Sequence, residues 1–164
     1  WMQSVSNPRV YAAGDVAGAP GALALTPVAA HEGQVVASNL LGGNSARPDF
    51  RGTPSVVFTI PSLASVGLTE KAAREKGITV RVQSEDTTEW YTNRRVHEPV
   101  GMYKIVIDAD ADRVVGAHII GASSEEVINV FAMAIRLGVT TAELKKMIFA
   151  YPTAASDIGY MVSG

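Results

Sequence analysis

The stretch that decides the fold runs from Tyr103 to Gly138 and reads YKIVIDADADRVVGAHIIGASSEEVINVFAMAIRLG. Tyr103 to Ile107 is dense in β-branched and aromatic residues and predicts a strand; Val114 to Ile120 predicts a second. The polar segment Asp108 to Arg113 between them is short enough to make the pair a hairpin. The apolar period then changes. Val127, Val130, Phe131, Ala134 and Ile135 recur at spacings of three and four, the pattern of a helix with one buried face. Ser123 and Glu126 have capping-box spacing at its start, and Gly138 closes it. A hairpin followed by an amphipathic helix predicts an antiparallel sheet with a helix laid on one face.

Working outward, Thr140 and Glu143 repeat the capping-box spacing ahead of a short helix through Leu144, Met147 and Ile148. Tyr151-Pro152-Thr153 interrupts the chain, and a last helix begins near Ala154. Toward the N-terminus, Ser55 to Ile60 reads as a strand between Pro54 and Pro61, and Leu63 to Leu68 as another. Thr69 caps a helix with Glu70 in its first turn and Gly77 at its end. Thr79 to Gln83 alternates like a strand, and Ser84 to Pro99 is polar without a clear period. The expected class for residues 51–164 is therefore α+β, an antiparallel sheet with helices packed on one face.

Residues 1–50 form a separate pattern. Val10-Tyr11-Ala12-Ala13 predicts a short strand that Gly14-Asp15 ends. A loop from Val16 to Leu25 carries Gly18, Pro20 and Gly21. A helix follows, with Thr26 as N-cap, Pro27 at the first helical position, an apolar face of Val28, Val35, Val36 and Leu40, and Gly42-Gly43 as its stop. The polar stretch Asn44 to Thr53 is a linker, and the boundary is placed between residues 50 and 51.

Composition narrows the function classes. The 164 residues suit one domain plus part of another, and charged residues, at 18%, fall short of the usual quarter. Part of the surface is therefore expected to lie against other protein. A net charge of −2 with no basic stripe argues against a nucleic-acid partner. Without cysteine, the chain holds no disulfide, thiolate metal site or cysteine nucleophile. The uncharged run Val16 to Ala30 is too short and too rich in small residues to span a bilayer, and Trp1-Met2-Gln3-Ser4 does not open like a signal peptide. A soluble, cytoplasmic protein without a membrane partner is expected. Asp108, Asp110 and Asp112 resemble the start of a calcium loop, but Arg113 stands where glycine is needed and Ile119 where glutamate is needed. His31, His97 and His118 are far apart in sequence, so no metal site is expected. His31 and His118 are assigned packing roles, and Glu125-Glu126 are read as helix-start carboxylates.

Several segments, in order, carry a family resemblance. Val10-Tyr11-Ala12-Ala13-Gly14-Asp15 followed by Leu25-Thr26-Pro27-Val28-Ala29 resembles the second FAD fingerprint of the glutathione reductase and dihydrolipoamide dehydrogenase family. Phe58-Thr59-Ile60-Pro61, Val66-Gly67-Leu68-Thr69-Glu70, Val114-Val115-Gly116-Ala117-His118 and Tyr151-Pro152-Thr153 resemble that family's interface domain. The resemblance implies a pyridine nucleotide-disulfide oxidoreductase: residues 1–50 as the end of an FAD-binding domain and 51–164 as the dimerisation domain of a homodimer. It assigns Gly14, Asp15, Leu25, Thr26 and Pro27 to FAD. Gly14 lets a cofactor approach the backbone, Asp15 accepts a hydroxyl of the ribityl chain, and the helix end at Thr26-Pro27 faces the flavin pyrimidine. NAD(P)H is the implied co-substrate, and a disulfide or other small molecule the acceptor. The family's Gly-x-Gly-x-x-Gly loop, redox cysteines and NAD(P) domain do not occur in this stretch. A C-terminal piece of a longer enzyme, inactive alone, is therefore expected, with a pure association module as the alternative.

One corner departs from the family. Its disulfide reductases place a histidine acid–base at the position of Tyr151 and an orienting glutamate at that of Ser156, with Asp157 next in line here. Histidine titrates near about 6.5 and tyrosine near about 10, so tyrosine is no ready base at neutral pH. Mercuric reductases, which resemble the family, also carry a tyrosine near this point. Tyr151 is the one catalytic candidate, as a hydrogen-bond donor, a substrate-positioning group or a weak ligand for a soft metal. The other reading is a tyrosine packed at an interface.

Overall fold

The computed structural model describes residues 1–163 and divides into two compact units, Trp1–Thr53 and Pro54 onward. The first is organised around one helix, α1 (Thr26–Gly42). Pro27 occupies its first turn, where a missing N–H costs nothing. The N-cap is Leu25, in extended conformation with no side-chain cap; Thr26 is already helical. That corrects the expected Thr26 cap. The inner stripe is Val28, Glu32, Val35 and Asn39, at spacings of four, three and four. Leu40, expected inside, is 62% exposed, and Asn39 takes the inner position beside it. Asn39 is fully engaged: its Nδ2 donates to the carbonyls of Trp1 (2.8 Å) and Ala46 (3.0 Å), and its Oδ1 accepts from the amides of Ser45 and Ala46. The polar stretch after the helix is thereby pinned to it. The strand expected at Val10–Ala13 does not form. Tyr11 makes only an isolated bridge to Gln3, because no neighbouring strand within the unit extends the pairing.

The second unit is a five-stranded antiparallel sheet of order β1-β2-β5-β4-β3. The strands are β1 (Pro54–Val57), β2 (Leu63–Gly67), β3 (Val80–Asp86), β4 (Met102–Asp108) and β5 (Arg113–Ile120). β4 and β5 are the expected hairpin. β1 stops at Val57, three residues short of expectation, and the chain turns through Thr59, whose hydroxyl donates to the Pro61 carbonyl at 2.7 Å. Between β2 and β3 lies α2 (Glu70–Glu75), capped by Thr69 as expected. Between β3 and β4 a short helix, α3 (Tyr91–Arg94), occupies the polar stretch that had no period.

The sheet carries α4 (Ser124–Leu137) across β5, β2 and β1. Its Val127, Ile128, Phe131 and Ala134 join Ala64, Val66, Ile105, Ile107 and Ala117 in one core. Phe131 is fully buried, a burial that contributes on the order of 2–3 kcal/mol. Gly138 ends the helix in left-handed conformation, the residue type such a stop requires. Ser123 does not cap it: it sits at φ 59° with no side-chain hydrogen bond, so the expected box with Glu126 is absent. The helix start is tied instead by Ser124 Oγ, which donates to the Ser62 carbonyl at 2.7 Å. α5 (Thr141–Lys146) does have its box, with Thr140 and Glu143 bonded in both directions. A 3-10 turn (Ala154–Asp157) and α6 (Ile158–Met161) finish the described chain and send Ile158 and Val162 into the core.

The sheet has two further features. Val106 pairs with Gly116 and Ile107 with Val114, leaving Val115 as an extra, bulged residue in β5. Its carbonyl accepts the Leu68 amide at 2.8 Å. Second, Val57, Leu63, Ile120 and Met102 follow one another across four strands in register, alternating with the core residues; Val57 is 59% exposed and Met102 53%.

Candidate functional site

In the first unit, Gly14 adopts φ 76°, ψ −161°, a region open to glycine and strained for other residues. It lies against α1, since a Cβ built on it would stand 3.4 Å from that of Ala29. Its amide donates to Glu32 Oε2 at 2.6 Å. Asp15 then opens a single 3-10 turn, Asp15–Ala17, closed by the Ala17 amide on the Gly14 carbonyl at 2.8 Å. The Asp15 side chain is exposed and accepts no hydrogen bond from the described residues. Leu25, Thr26 and Pro27 form the start of α1, whose first turn ends with the Ala29 amide bonded to the Leu25 carbonyl. The amides of Thr26 and Val28 precede any intrahelical partner and leave that end electropositive. The chain thus brings together a bare carboxylate, a side-chain-free backbone turn and an open helix start. This set fits the sugar-alcohol chain and electron-accepting ring of a flavin. Nearby, an apolar hollow of about 440 Å³ is bounded by Trp1, Ala17, Pro20, Arg47 and Phe50, with the Arg47 guanidinium 4.2 Å from the Trp1 ring.

Tyr151 belongs to the second unit. It is 75% exposed and stacks on Tyr91, with ring centroids 6.2 Å apart and planes 19° from parallel. Ser156, at the position of the family's orienting glutamate, donates to the Thr153 carbonyl at 2.6 Å and leaves Tyr151 alone. Asp157 turns away too and accepts the hydroxyl of buried Thr92. Burial raises the Asp157 pKa above the ordinary aspartate value, and the Thr92 hydrogen bond opposes that shift. No hydrogen bond from the described residues orients the Tyr151 phenol, so its position rests on the aromatic stack. A surface hollow of about 410 Å³ beside it is lined by Lys145, Met147, Ser156 and Tyr160.

Other candidates resolve into structure. The Asp112 carboxylate accepts from Thr141 Oγ1 at 2.5 Å and from the Ala142 amide at 3.2 Å, fastening the β4–β5 turn to α5. No cluster of three or more metal-ligating side chains occurs among the described residues. His31 Nε2 accepts the Asp49 amide at 3.1 Å, and His118 Nε2 donates to the Leu68 carbonyl at 3.2 Å. No helix among the described residues is long and apolar enough to cross a membrane. The sequence reading missed Glu32, Tyr91 and Thr92. Glu32 was signalled by its spacing alone, four residues after Val28 and three before Val35.

The model of the pyridine nucleotide-disulphide oxidoreductase dimerisation domain matches residues 53–162. The chain belongs to that family. An uncharacterized 19.7 kDa protein in a mercuric resistance operon of Staphylococcus aureus is 52% identical over 162 residues, which cover 99% of this chain and 89% of that protein. A mercuric reductase of the same organism is 39% identical over 153 residues, 93% of this chain and 27% of that enzyme. Among solved structures, the HOCl-induced flavoprotein disulfide reductase RclA from Escherichia coli superposes with a TM-score of 0.82 at 28% identity, over 93% of this chain and 34% of that one. The chain therefore spans about a quarter to a third of the reductases it matches. Family membership accords with the antiparallel sheet and its covering helices, as the resemblance implied.

Proposed function

We propose that this chain is the C-terminal part of an FAD-dependent NAD(P)H oxidoreductase, with residues 1–50 completing the flavin site and 51–164 pairing two subunits. The observation that carries this is the conjunction in the first unit of glycine-only Gly14, the unengaged Asp15 carboxylate and the open start of α1. Asp15 accepts a sugar-alcohol hydroxyl, Gly14 lets the cofactor lie against the backbone, and the Leu25–Pro27 end stabilises negative charge on the ring. FAD, when bound, supplies the two-electron relay between NAD(P)H and a disulfide or other small acceptor. Tyr151, exposed and braced by Tyr91, reaches the acceptor side of the partner subunit, where its phenol donates a hydrogen bond. The mercuric reductase relatives support a non-disulfide acceptor such as a soft metal ion. Two further surfaces support pairing: Met133 and Leu137 on the outer side of α4, and Met147, Ile148 and Tyr160 near the C-terminus, are all more than half exposed. Stable dimers commonly bury about 2,000 Å² or more, and these apolar groups would form part of such an area. On this proposal the protein works in the cytoplasm as a homodimer, without nucleic acid or membrane, and the 164 residues alone are inactive and do not retain FAD.

One observation favours a second reading, a pure association module: the 19.7 kDa relative consists almost wholly of the region shared with this chain. Light scattering across a dilution series tests pairing. A mass of twice 17.3 kDa that persists on dilution is expected; a monomer at all concentrations sinks both readings of the second unit. A yellow colour in the intact protein that carries this sequence separates the flavoprotein from the bare module.

A further inference from the structure

The geometry points to Glu32 as the positioning residue that holds the Gly14–Asp15 turn in its cofactor-ready shape before a flavin binds. This rests on the flavin reading of that turn. Glu32 lies on the inner stripe of α1 and is 1% exposed. Its Oε2 takes the Gly14 amide at 2.6 Å, while its Oε1 is fully buried and accepts nothing from the described residues. An apolar residue would continue the Val28–Val35 stripe without stranding a carboxylate oxygen. A buried acceptor left unmet costs stability, and such a cost persists where it secures a particular shape.

That shape is the turn. Gly14 has no side chain to hold it at φ 76°, and the following 3-10 turn bonds only to its carbonyl. Among the described residues, its amide is fixed by Glu32 alone. The peptide orientation at Gly14 sets where Asp15 points, so a charged acceptor reaching from α1 aims the cofactor's hydroxyl acceptor. A charge-assisted hydrogen bond is roughly twice as strong as a neutral one. Glutamine keeps the length but loses the charge, and aspartate falls one methylene short.

Amide exchange and through-hydrogen-bond correlation, measured by NMR on the 164-residue chain, test this. In the native chain a correlation is expected from the Gly14 nitrogen to the Glu32 carboxyl carbon. In Glu32→Gln, Gly14 exchange accelerates about tenfold, the equivalent of roughly 1.4 kcal/mol. The Ser45 and Ala46 amides, held by Asn39 on the same helix, keep their native rates. In Glu32→Asp the correlation disappears. No correlation in the native chain, or unchanged Gly14 exchange in Glu32→Gln, overturns the inference. Equal acceleration at Gly14, Ser45 and Ala46 also overturns it, since Glu32 would then merely pack the helix. A final arm measures bound FAD, by its absorbance, in the intact protein that carries this sequence and in its Asp15→Asn variant. If Glu32 fixes the turn but the intact protein carries no FAD, the positioning inference stands and the flavin reading falls.

Discussion

Among the described glycines, Gly116 leaves the least room for a side chain. A Cβ there would run into the carbonyl oxygen and backbone of Leu68, atoms that cannot swing aside as a side-chain tip can. Gly116→Ala is expected to lower stability by about 3 kcal/mol, read by chemical denaturation; a loss below about 0.5 kcal/mol would mean the β2–α2 turn yields freely. Asp157 offers a different test. Its folded carboxyl holds a proton to higher pH than the ordinary 3.8, because burial disfavours the charge. Stability from this group is therefore full below about pH 4 and is lost as pH rises through the raised value. Asp157→Asn does not titrate. The native unfolding free energy minus that of Asp157→Asn should fall as pH climbs above about 4 and then level off. A flat difference would show the carboxyl to be solvated. Asp112 has the opposite sign: the Thr141 hydroxyl leads the effects that lower its pKa, so its contribution is present above about pH 4 and lost on acidification.

Elements divide by how local their causes are. Thr140 and Ser123 show the same spacing to a following glutamate, yet only Thr140 caps its helix, with Oγ1 accepting the Glu143 amide at 3.1 Å. Thr140→Ala should cost about 1 kcal/mol, whereas Ser123→Ala should change stability by less than about 0.5 kcal/mol. Equal losses in thermal melts would contradict the geometry. The spacing could not separate the two, because the start of α4 is served from 62 residues away by Ser62. Strands β2 to β5 and helices α2 and α4 were legible because their apolar period and their stops are local; α5 was legible from its cap alone, since it ends at Lys146 and leaves Met147 and Ile148, expected on its apolar face, outside the helix and exposed. The strand expected at Tyr11 failed for the opposite reason, since strand propensity without a pairing neighbour yields only a bridge. Of the candidate site, Gly14, Asp15 and the start of α1 were readable as a family pattern. Glu32 and Tyr91 were not, because each acts on a residue that only folding brings near.

For the whole molecule, the proposed pairing makes a prediction that separates association from folding. Met133 and Leu137 stand 61% and 70% exposed on α4, outside the core that Phe131 anchors. A Met133→Glu, Leu137→Glu double substitution should halve the mass seen by light scattering while moving the melting temperature of the separated chain by only a few degrees. A dimer that survives it would place the pairing surface elsewhere. The bulge at Val115 has its own consequence. Side chains in a strand alternate with a phase of two, and the surplus residue resets that phase halfway along β5. Deleting Val115 would exchange inside for outside across the run that follows, driving His118 toward the helix and Ala117 and Ile119 toward water. The sheet thus constrains residue count at this point as strictly as residue identity: most substitutions at Val115 should be absorbed, but its removal should not.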